Sequence, residues 1–272
     1  MAKPFLKYVG GKRQLLPELL ARVPEIFGTY YEPFVGGGAL FFAMRAAGKA
    51  PRAVLADANC DLISCYAAVR DHPEELVALL RQLEQQRTKD AYLRIRDAFN
   101  ARALGDLERP AAFLYFNKVG FNGLIRYNTQ GQFNVPFGTP RQGKDLLPPE
   151  VIYEASEALQ GVLLKSCSYE GILDEAQAGD FIYVDPPYVP TSKTASFTGY
   201  VGRPWNENAH RGLAFLLRQA AGRGVHVLAS NADAPLVREA YAGWQIDVVS
   251  ARRAINCKRD RRGAVGEVLI RS

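Results

Sequence analysis

The chain has 272 residues, a formal net charge of +6 from 34 basic and 28 acidic side chains, and a sequence pI near 9.1. This length fits one large domain or a domain with an insert, and a hydrophobic content of 48% allows a sizeable core. The positive excess favours a polyanionic partner. No apolar run of about 18 residues appears and the amino terminus lacks a signal-peptide core, so we expect a soluble, cytoplasmic protein with no membrane partner.

The first third of the chain has the pattern of an α/β fold. Strands are predicted over residues 30–34 and 53–56, with a glycine-rich turn and the start of a helix at Ala39 between them. Helical periodicity begins again at Asn59. The alternation of short apolar runs and helices predicts a parallel sheet.

The middle of the chain differs in composition. Residues 73–160 contain helical segments and one polar, glycine- and asparagine-rich stretch over residues 117–143. Pro73 fits the first position of a helix. Asn122-Gly123 and Asn128-Thr129-Gln130-Gly131 are turn signals of the hairpin type.

The last third returns to the α/β pattern. Strands are predicted over residues 162–164, 181–184, 226–229, 246–249 and 265–270, the last two as a terminal hairpin. The fold class predicted from this layout is α/β, with a doubly wound Rossmann-like sheet formed by residues 1–72 and 161–272. Residues 73–160 are then an inserted, mainly helical domain.

A metal site is not predicted. The four cysteines, Cys60, Cys65, Cys167 and Cys257, include no C-x-x-C pair, and the three histidines do not cluster with them. Neither a zinc site nor a disulfide framework is therefore expected.

The most informative string is Asp185-Pro186-Pro187-Tyr188, which follows the apolar run 181–184. The carboxyl end of a strand in an open α/β sheet is where ligands bind. The prolines stiffen the turn, so the carboxylate and the Pro186 carbonyl can both accept from one amino group while the tyrosine stacks on its ring. The string suits methylation of an exocyclic amino group, and the alternative is a proline-rich loop without a catalytic role.

A second candidate site is the turn Gly36-Gly37-Gly38, which follows the first predicted strand. Glycines there allow a close approach of the backbone to a ligand, and Asp57, at the end of the next strand, is placed to bind ribose hydroxyls. This pattern indicates a nucleoside but does not separate a dinucleotide from S-adenosylmethionine. The absence of a full G-x-G-x-x-G string weakens a nicotinamide interpretation, and a plain tight turn is the alternative.

With these strings in view, the chain resembles the Dam-type DNA adenine methyltransferases over nearly its whole length. The matching strings are F-L-K-Y-V-G-G-K at residues 5–12, Y-E-P-F-V-G-G-G at 31–38, L-A-D-A-N-C-D-L-I at 55–63, F-N-K-V-G-F-N-G-L-I-R-Y-N at 116–128, G-Q-F-N-V-P-F-G at 131–138, and D-P-P-Y at 185–188 leading into S-K-T-A-S-F-T-G-Y at 192–200.

The resemblance implies a role for each matching residue. The cofactor S-adenosylmethionine would be contacted by Tyr8, Lys12, Glu32, Phe34, Gly36, Gly37, Gly38, Asp57 and Asp185. A flipped adenine would be held by Asp185, Pro186, Pro187 and Tyr188. The insert would be the target-recognition domain on double-stranded DNA, with contacts from Phe121, Asn122, Leu124, Arg126, Asn128 and Pro136, and with Lys7 beside them.

The strings at residues 121–128 and 134–138 resemble those of family members that modify GATC, and this resemblance implies adenine in GATC as the target. Arg126 is the candidate for a bidentate contact to guanine, with a phosphate or an acid as its alternative partner. Leu124 and Pro136 offer apolar surface to a thymine methyl, and Lys7 could reach the guanine beside the flipped adenine. Phe121 at a hairpin tip could enter the vacated stack, or it could be a core side chain beside an ordinary Asn-Gly turn.

Other interpretations stay open on the sequence alone. They are a cytosine-N4 or RNA amino-methyltransferase and a catalytically inactive DNA-binding module. A basic run over residues 252–262 is either a DNA contact or a solvated loop. The enzyme could be solitary, of phage origin or paired with a cognate restriction endonuclease. We expect a monomer or weak dimer that associates with the nucleoid while it is bound to DNA.

Overall fold

The computed structural model describes residues 2–138, 146–189, 199–200, 203–252 and 264–272. The chain divides into two compact units. The first unit comprises Met1–Gly11, Gly36–Lys49 and Asp57–Cys167, and the second unit comprises Lys12–Val35, Ala50–Ala56 and Ser168–Ser272.

The helices in chain order are α1 (Leu16–Leu20), α2 (Ala39–Ala46), α3 (Cys60–Asp71), α4 (Pro73–Glu84), α5 (Lys89–Asn100), α6 (Glu108–Val119), α7 (Pro149–Leu159), α8 (Tyr169–Glu175), α9 (Glu207–Gly222) and α10 (Pro235–Ala240). The strands are β1 (Tyr30–Glu32), β2 (Ala53–Asp57), β3 (Leu163–Ser166), β4 (Phe181–Val184), β5 (Gly199–Tyr200), β6 (Arg203–Pro204), β7 (His226–Ala232), β8 (Gln245–Arg252) and β9 (Ala264–Arg271).

Six of the strands described in the second unit form a mixed sheet in the order β2-β1-β4-β7-β9-β8. β1 pairs in parallel with β2 and with β4, and β4 pairs in parallel with β7. The chain therefore extends the sheet to one side of β1 and then returns to the other side. This reversal is the topological switch point of a doubly wound sheet, and it confirms the predicted fold class.

The central strands are buried because neither face of a covered parallel sheet meets water. Every residue of β1 and β4 is buried. The predicted strand over residues 30–34 is two residues too long, since β1 ends at Glu32. Pro33 follows, and a proline cannot donate to a strand ladder.

The predicted terminal hairpin is confirmed. β8 and β9 pair antiparallel, and β9 also pairs antiparallel with β7. The direction of β9 brings its amino-terminal residues to the carboxyl end of β7, where Glu267 lies opposite Ala232. An acidic side chain of the last strand thus reaches the edge of the sheet at which β4 and β7 end.

The first unit is built around α6, which is buried along nearly its whole length. A helix that is apolar on all sides belongs in a core, and α6 packs on α3, α4 and α5. The described part of residues 73–160 contains the four α-helices α4 to α7, so the predicted helical character of this segment is confirmed.

Local signals place the helix starts of this unit correctly. The Asn59 side chain accepts hydrogen bonds from the backbone N–H groups of Asp61 and Leu62 and so caps α3. Pro73 is the first residue of α4. A proline is favoured there because its missing N–H has no partner within the helix.

Candidate active site

The string Asp185-Pro186-Pro187-Tyr188 begins directly after β4, on one side of the switch point. Its predicted place at the carboxyl end of a buried strand is confirmed. Asp185 forms an ion pair with Lys12, whose Nζ lies 2.9 Å from Oδ1. The Lys12 side chain is 6% exposed and that of Asp185 is 20% exposed.

The charges around Asp185 oppose one another. Burial raises the pKa of Asp185, while the Lys12 ammonium lowers it and the Glu267 carboxylate raises it further. Lys12 Nζ also lies 4.7 Å from the centroid of the Tyr188 ring, a cation–π distance. Lys12 thus offsets the cost of an ionised carboxylate at a site that burial would otherwise drive toward the neutral acid.

Glu267 is a site residue that the sequence analysis missed. The Tyr188 hydroxyl donates a hydrogen bond of 2.9 Å to Glu267 Oε2. Burial, then the nearby Asp185 and Glu267 charges, raise the pKa of Tyr188 well above its usual value, so the phenol stays protonated and remains a donor. The only sequence signal was one acid inside the apolar run of the last strand.

The glycine turn lies in the first unit. Gly36 and Gly38 have φ angles of 46° and 65°, in the left-handed region that favours glycine. A Cβ on Gly36 would lie 2.9 Å from Tyr8 Cδ1, so the Tyr8 ring packs directly on the turn. The Tyr66 hydroxyl donates to the Gly36 carbonyl at 3.0 Å and so holds the turn in place.

Asp57 is the last residue of β2 and accepts two backbone hydrogen bonds. Oδ2 accepts from Gly36 N at 3.2 Å, and Oδ1 accepts from Asn59 N at 2.9 Å. Burial raises the pKa of Asp57 to about 6, against the opposing effect of these two bonds. The structure therefore brings together Tyr8, the glycine turn Gly36-Gly37-Gly38 and Asp57, which are five of the predicted cofactor contacts.

Two further predicted cofactor contacts lie in the second unit. Glu32 is 2% exposed and accepts a 2.8 Å hydrogen bond from the Tyr30 hydroxyl. The Phe34 ring stacks on Tyr169, with centroids 5.3 Å apart, and meets Trp205 edge-on at 5.5 Å. These aromatic partners of Phe34 were not found from the sequence, because they follow it by more than a hundred residues.

Lys7 is held beside the first turn of residues 117–138, which carry the predicted DNA contacts of the insert and are called the recognition stretch below. The buried amide of Asn117 accepts from Lys7 N at 2.9 Å and donates to Lys7 O at 2.8 Å. The same amide donates to Gly123 O at 3.0 Å. The structure therefore brings Lys7 and the Asn122-Gly123 turn together, and Asn117 is the residue that joins them.

The turn presents its aromatic side chain outward. Asn122 and Gly123 have φ angles of 55° and 66°, and Phe121 N donates to Pro136 O at 2.9 Å. Phe121 is 48% exposed. The alternative of a core phenylalanine beside an ordinary turn is therefore wrong.

Arg126 is fixed by a polar neighbour. Its Nε donates to Asn134 Oδ1 at 2.8 Å, and Nη2 donates to Asn134 O at 3.1 Å. In these contacts its partner is an amide and not an acid. Asn128 instead closes the following turn by accepting from Gln132 N at 2.9 Å. Pro136 is exposed and Leu124 is half-buried.

A buried acid connects the recognition stretch to α3. Arg109 Nε lies 2.7 Å from Asp61 Oδ1, and the Tyr127 hydroxyl donates to Asp61 Oδ2 at 2.6 Å. The Arg109 guanidinium also lies 3.8 Å from the centroid of the Phe99 ring. Tyr127 separates Arg126 from Asn128, so this cluster supports the backbone that carries two predicted DNA contacts. The sequence analysis missed it.

Two further predictions concern segments that the structure does not describe. The side chains of the basic run 252–262 and the loop 192–198 lie outside the described residues. Within the described ranges, no three His, Cys, Asp or Glu side chains are grouped so that they could hold a metal ion. The same part of the chain contains no helix with the length and apolar character needed to cross a membrane.

The family is established by comparison. A family model described as D12 class N6 adenine-specific DNA methyltransferase matches residues 8–255. The type II methyltransferase M1.LlaDCHI of Lactococcus lactis subsp. cremoris is 38% identical, with 98% of this chain and 94% of that protein covered. The DNA adenine methylase of Escherichia coli K12 is 36% identical, with 98% and 94% covered.

The chain belongs to the D12 class N6 adenine-specific DNA methyltransferase family. It is an adenine-specific DNA methyltransferase, and its methyl donor is of the S-adenosylmethionine type. The predicted enzyme class and the resemblance that carried it are confirmed.

Proposed function

We propose that this enzyme transfers the methyl group of S-adenosylmethionine to N6 of adenine within double-stranded GATC, after the adenine has left the base stack. The observation that carries the proposal is the string Asp185-Pro186-Pro187-Tyr188 at the switch point of the sheet, with its acid ion-paired to Lys12.

The proposed cofactor contacts have the right chemistry for a nucleoside. The Asp57 carboxylate, fixed by two backbone N–H groups, accepts hydrogen bonds from the ribose hydroxyls. The left-handed Gly36 allows a close approach of backbone to ligand, and Tyr8 backs the turn. Phe34 adds an aromatic face, while Lys12, Glu32, Gly37, Gly38 and Asp185 complete the proposed set. When bound, S-adenosylmethionine supplies an activated methyl group.

Asp185 and Pro186 act on the amino group. Adenine N6 is a poor nucleophile because its lone pair is delocalised into the ring. Hydrogen bonds from N6 to the Asp185 carboxylate and to the Pro186 carbonyl favour a more pyramidal nitrogen with a localised lone pair. The ion pair with Lys12 favours the accepting, ionised form of Asp185 against the effect of burial, which raises its pKa.

Two aromatic side chains offset the cost of base flipping: Tyr188 stacks on the extruded adenine, and Phe121 fills the gap left in the duplex. Extrusion of a paired base costs roughly a few kcal/mol. Stacking on Tyr188 offsets about 1–3 kcal/mol of that cost. The exposed Phe121 ring, with Asn122 beside it at the turn, enters the vacated position in the duplex. The outward orientation of Phe121 supports this role.

Sequence readout is assigned to the recognition stretch. Arg126 contacts guanine in the major groove. Its two hydrogen bonds to Asn134 order the guanidinium before DNA binds. Leu124 and Pro136 meet a thymine methyl, Asn128 contacts the DNA beside them, and Lys7 contacts the guanine next to the flipped adenine. Residues 73–160 are the proposed target-recognition domain, and residues 1–72 and 161–272 the catalytic domain.

The proposed working form is a monomer or weak dimer in the cytoplasm, associated with the nucleoid while it is bound to DNA. The Lactococcus relative is named a type II methyltransferase, which supports a cognate restriction endonuclease as the protein partner.

The test is modified-base sequencing of genomic DNA from a host without adenine methylation, after expression of the wild type, Asp185→Ala or Asp174→Ala. Asp174 is an exposed acid of α8 and serves as the matched control. We expect N6-methyladenine at GATC with the wild type and the control, and none with Asp185→Ala. A different motif would overturn the GATC assignment, and methylation by Asp185→Ala would overturn the site.

A further inference from the structure

We propose that Glu267 is a positioning residue for Tyr188, and that it sets the rate of methyl transfer by fixing the ring on which the target adenine stacks. The inference rests on the proposed function, in which Tyr188 holds that base.

Glu267 lies on a strand that is paired on both sides, whereas Tyr188 lies on a loop. Glu267 lies within β9, which pairs with β7 on one side and β8 on the other, opposite Ala232 and Val249. Tyr188 lies four residues beyond the end of β4, in the loop that follows the two prolines. A ring on a loop keeps both side-chain torsions free unless a contact beyond its own backbone fixes it.

The hydrogen bond between Tyr188 and Glu267 belongs to a strong class of hydrogen bonds. A phenol that donates to a carboxylate forms a charge-assisted hydrogen bond, and the 2.9 Å distance from Tyr188 Oη to Glu267 Oε2 is within the normal range. The Lys12 ammonium lies over the same ring, 4.7 Å from its centroid. The ring is therefore held at its hydroxyl and on its face.

Glu267 also acts on Asp185 through its charge. The titratable groups that face Asp185 among the described residues are Lys12, Glu267, Tyr188 and Tyr183. The Glu267 charge raises the pKa of Asp185, since a second anion disfavours the ionised form. Removal of that charge should therefore move the acidic limb of the pH–rate profile to lower pH.

Three variants separate the hydrogen bond from the charge. Glu267→Leu removes both, Glu267→Gln keeps an acceptor without the charge, and Tyr188→Phe removes the donor. We expect Glu267→Leu and Tyr188→Phe each to lower the single-turnover rate about tenfold or more, with little further loss in the double variant. Glu267→Gln should recover most of the rate and show the shifted acidic limb.

The controls distinguish the possible failures. Glu157→Leu, at an exposed acid of α7, should leave the rate unchanged. Unchanged binding of S-adenosylhomocysteine and an unchanged melting temperature should show that each variant is folded. A normal rate for Tyr188→Ala would overturn the proposed role of Tyr188 itself. A slow Tyr188→Ala with normal rates for Glu267→Leu and Tyr188→Phe would overturn only the role of Glu267, as would additive losses in the double variant.

Discussion

The cluster of Asp61, Arg109 and Tyr127 yields a quantitative prediction about the first unit. Tyr127→Phe removes one hydroxyl and leaves the ring and the ion pair in place. The lost bond is 2.6 Å long and its acceptor is a carboxylate, and the Asp61 side chain is 8% exposed. Hydrogen bonds to charged groups contribute about 1.5–3 kcal/mol, so the free energy of unfolding should fall by about that amount.

Asp61→Ala should lower the free energy of unfolding more than Tyr127→Phe does. It leaves the Arg109 guanidinium without its acid partner, and the loss of one member of a buried pair costs about 3–5 kcal/mol. Because the Arg109 side chain is 21% exposed, water can solvate part of it, and we expect the lower end of that range.

The assay is urea unfolding followed by two signals. Helices α2 to α7, which hold most of the helical residues described, lie in the first unit, so far-ultraviolet circular dichroism reports mainly on that unit. Both tryptophans, Trp205 and Trp244, lie in the second unit. Tyr153→Phe, at an exposed tyrosine of α7, is the matched control and should stay within about 0.5 kcal/mol of the wild type. A Tyr127→Phe variant as stable as this control would refute the reasoning.

Two further predictions concern ligands. Affinity for S-adenosylhomocysteine should be fully present well above pH 6, where Asp57 is ionised, and should fall as the pH falls through its pKa of about 6. Calorimetry should show this dependence flattened in Asp57→Asn, and an equal dependence in both proteins would contradict the role of Asp57. Arg126→Ala should relax discrimination at one guanine by about 1–3 kcal/mol in kinetics on singly substituted duplexes, whereas Arg94→Ala, at an exposed residue of α5, should not. An equal loss on every duplex would mean that Arg126 touches only the DNA backbone.

Local features were predictable because adjacent residues determine them. The buried run of β4 and the prolines after it, the glycine turn after β1 and the proline that begins α4 each depend on a few consecutive side chains. The end of β1 was misplaced by two residues, because the aromatic side chains within residues 30–34 outweighed the effect of Pro33 on the ladder.

Long-range partners were not predictable from one sequence. Tyr188 and Glu267 are 79 residues apart, and Lys7 and Asn117 are 110 apart. Their contacts depend on strand order and helix packing, and no local pattern encodes either. Phe121 shows the same limit, since an aromatic beside an Asn-Gly turn has the same local sequence whether it is buried or exposed.

The order of strands in the second unit has a consequence for synthesis. β8 precedes β9 in the chain, yet β9 lies between β7 and β8. While the ribosome is still making β9, the side of β7 that will receive it has no neighbour, and an unpaired edge of an apolar strand invites association with other chains. Nascent chains stalled before Ala264 should therefore be prone to aggregation and dependent on chaperones, and this tendency should vanish once β9 has been made.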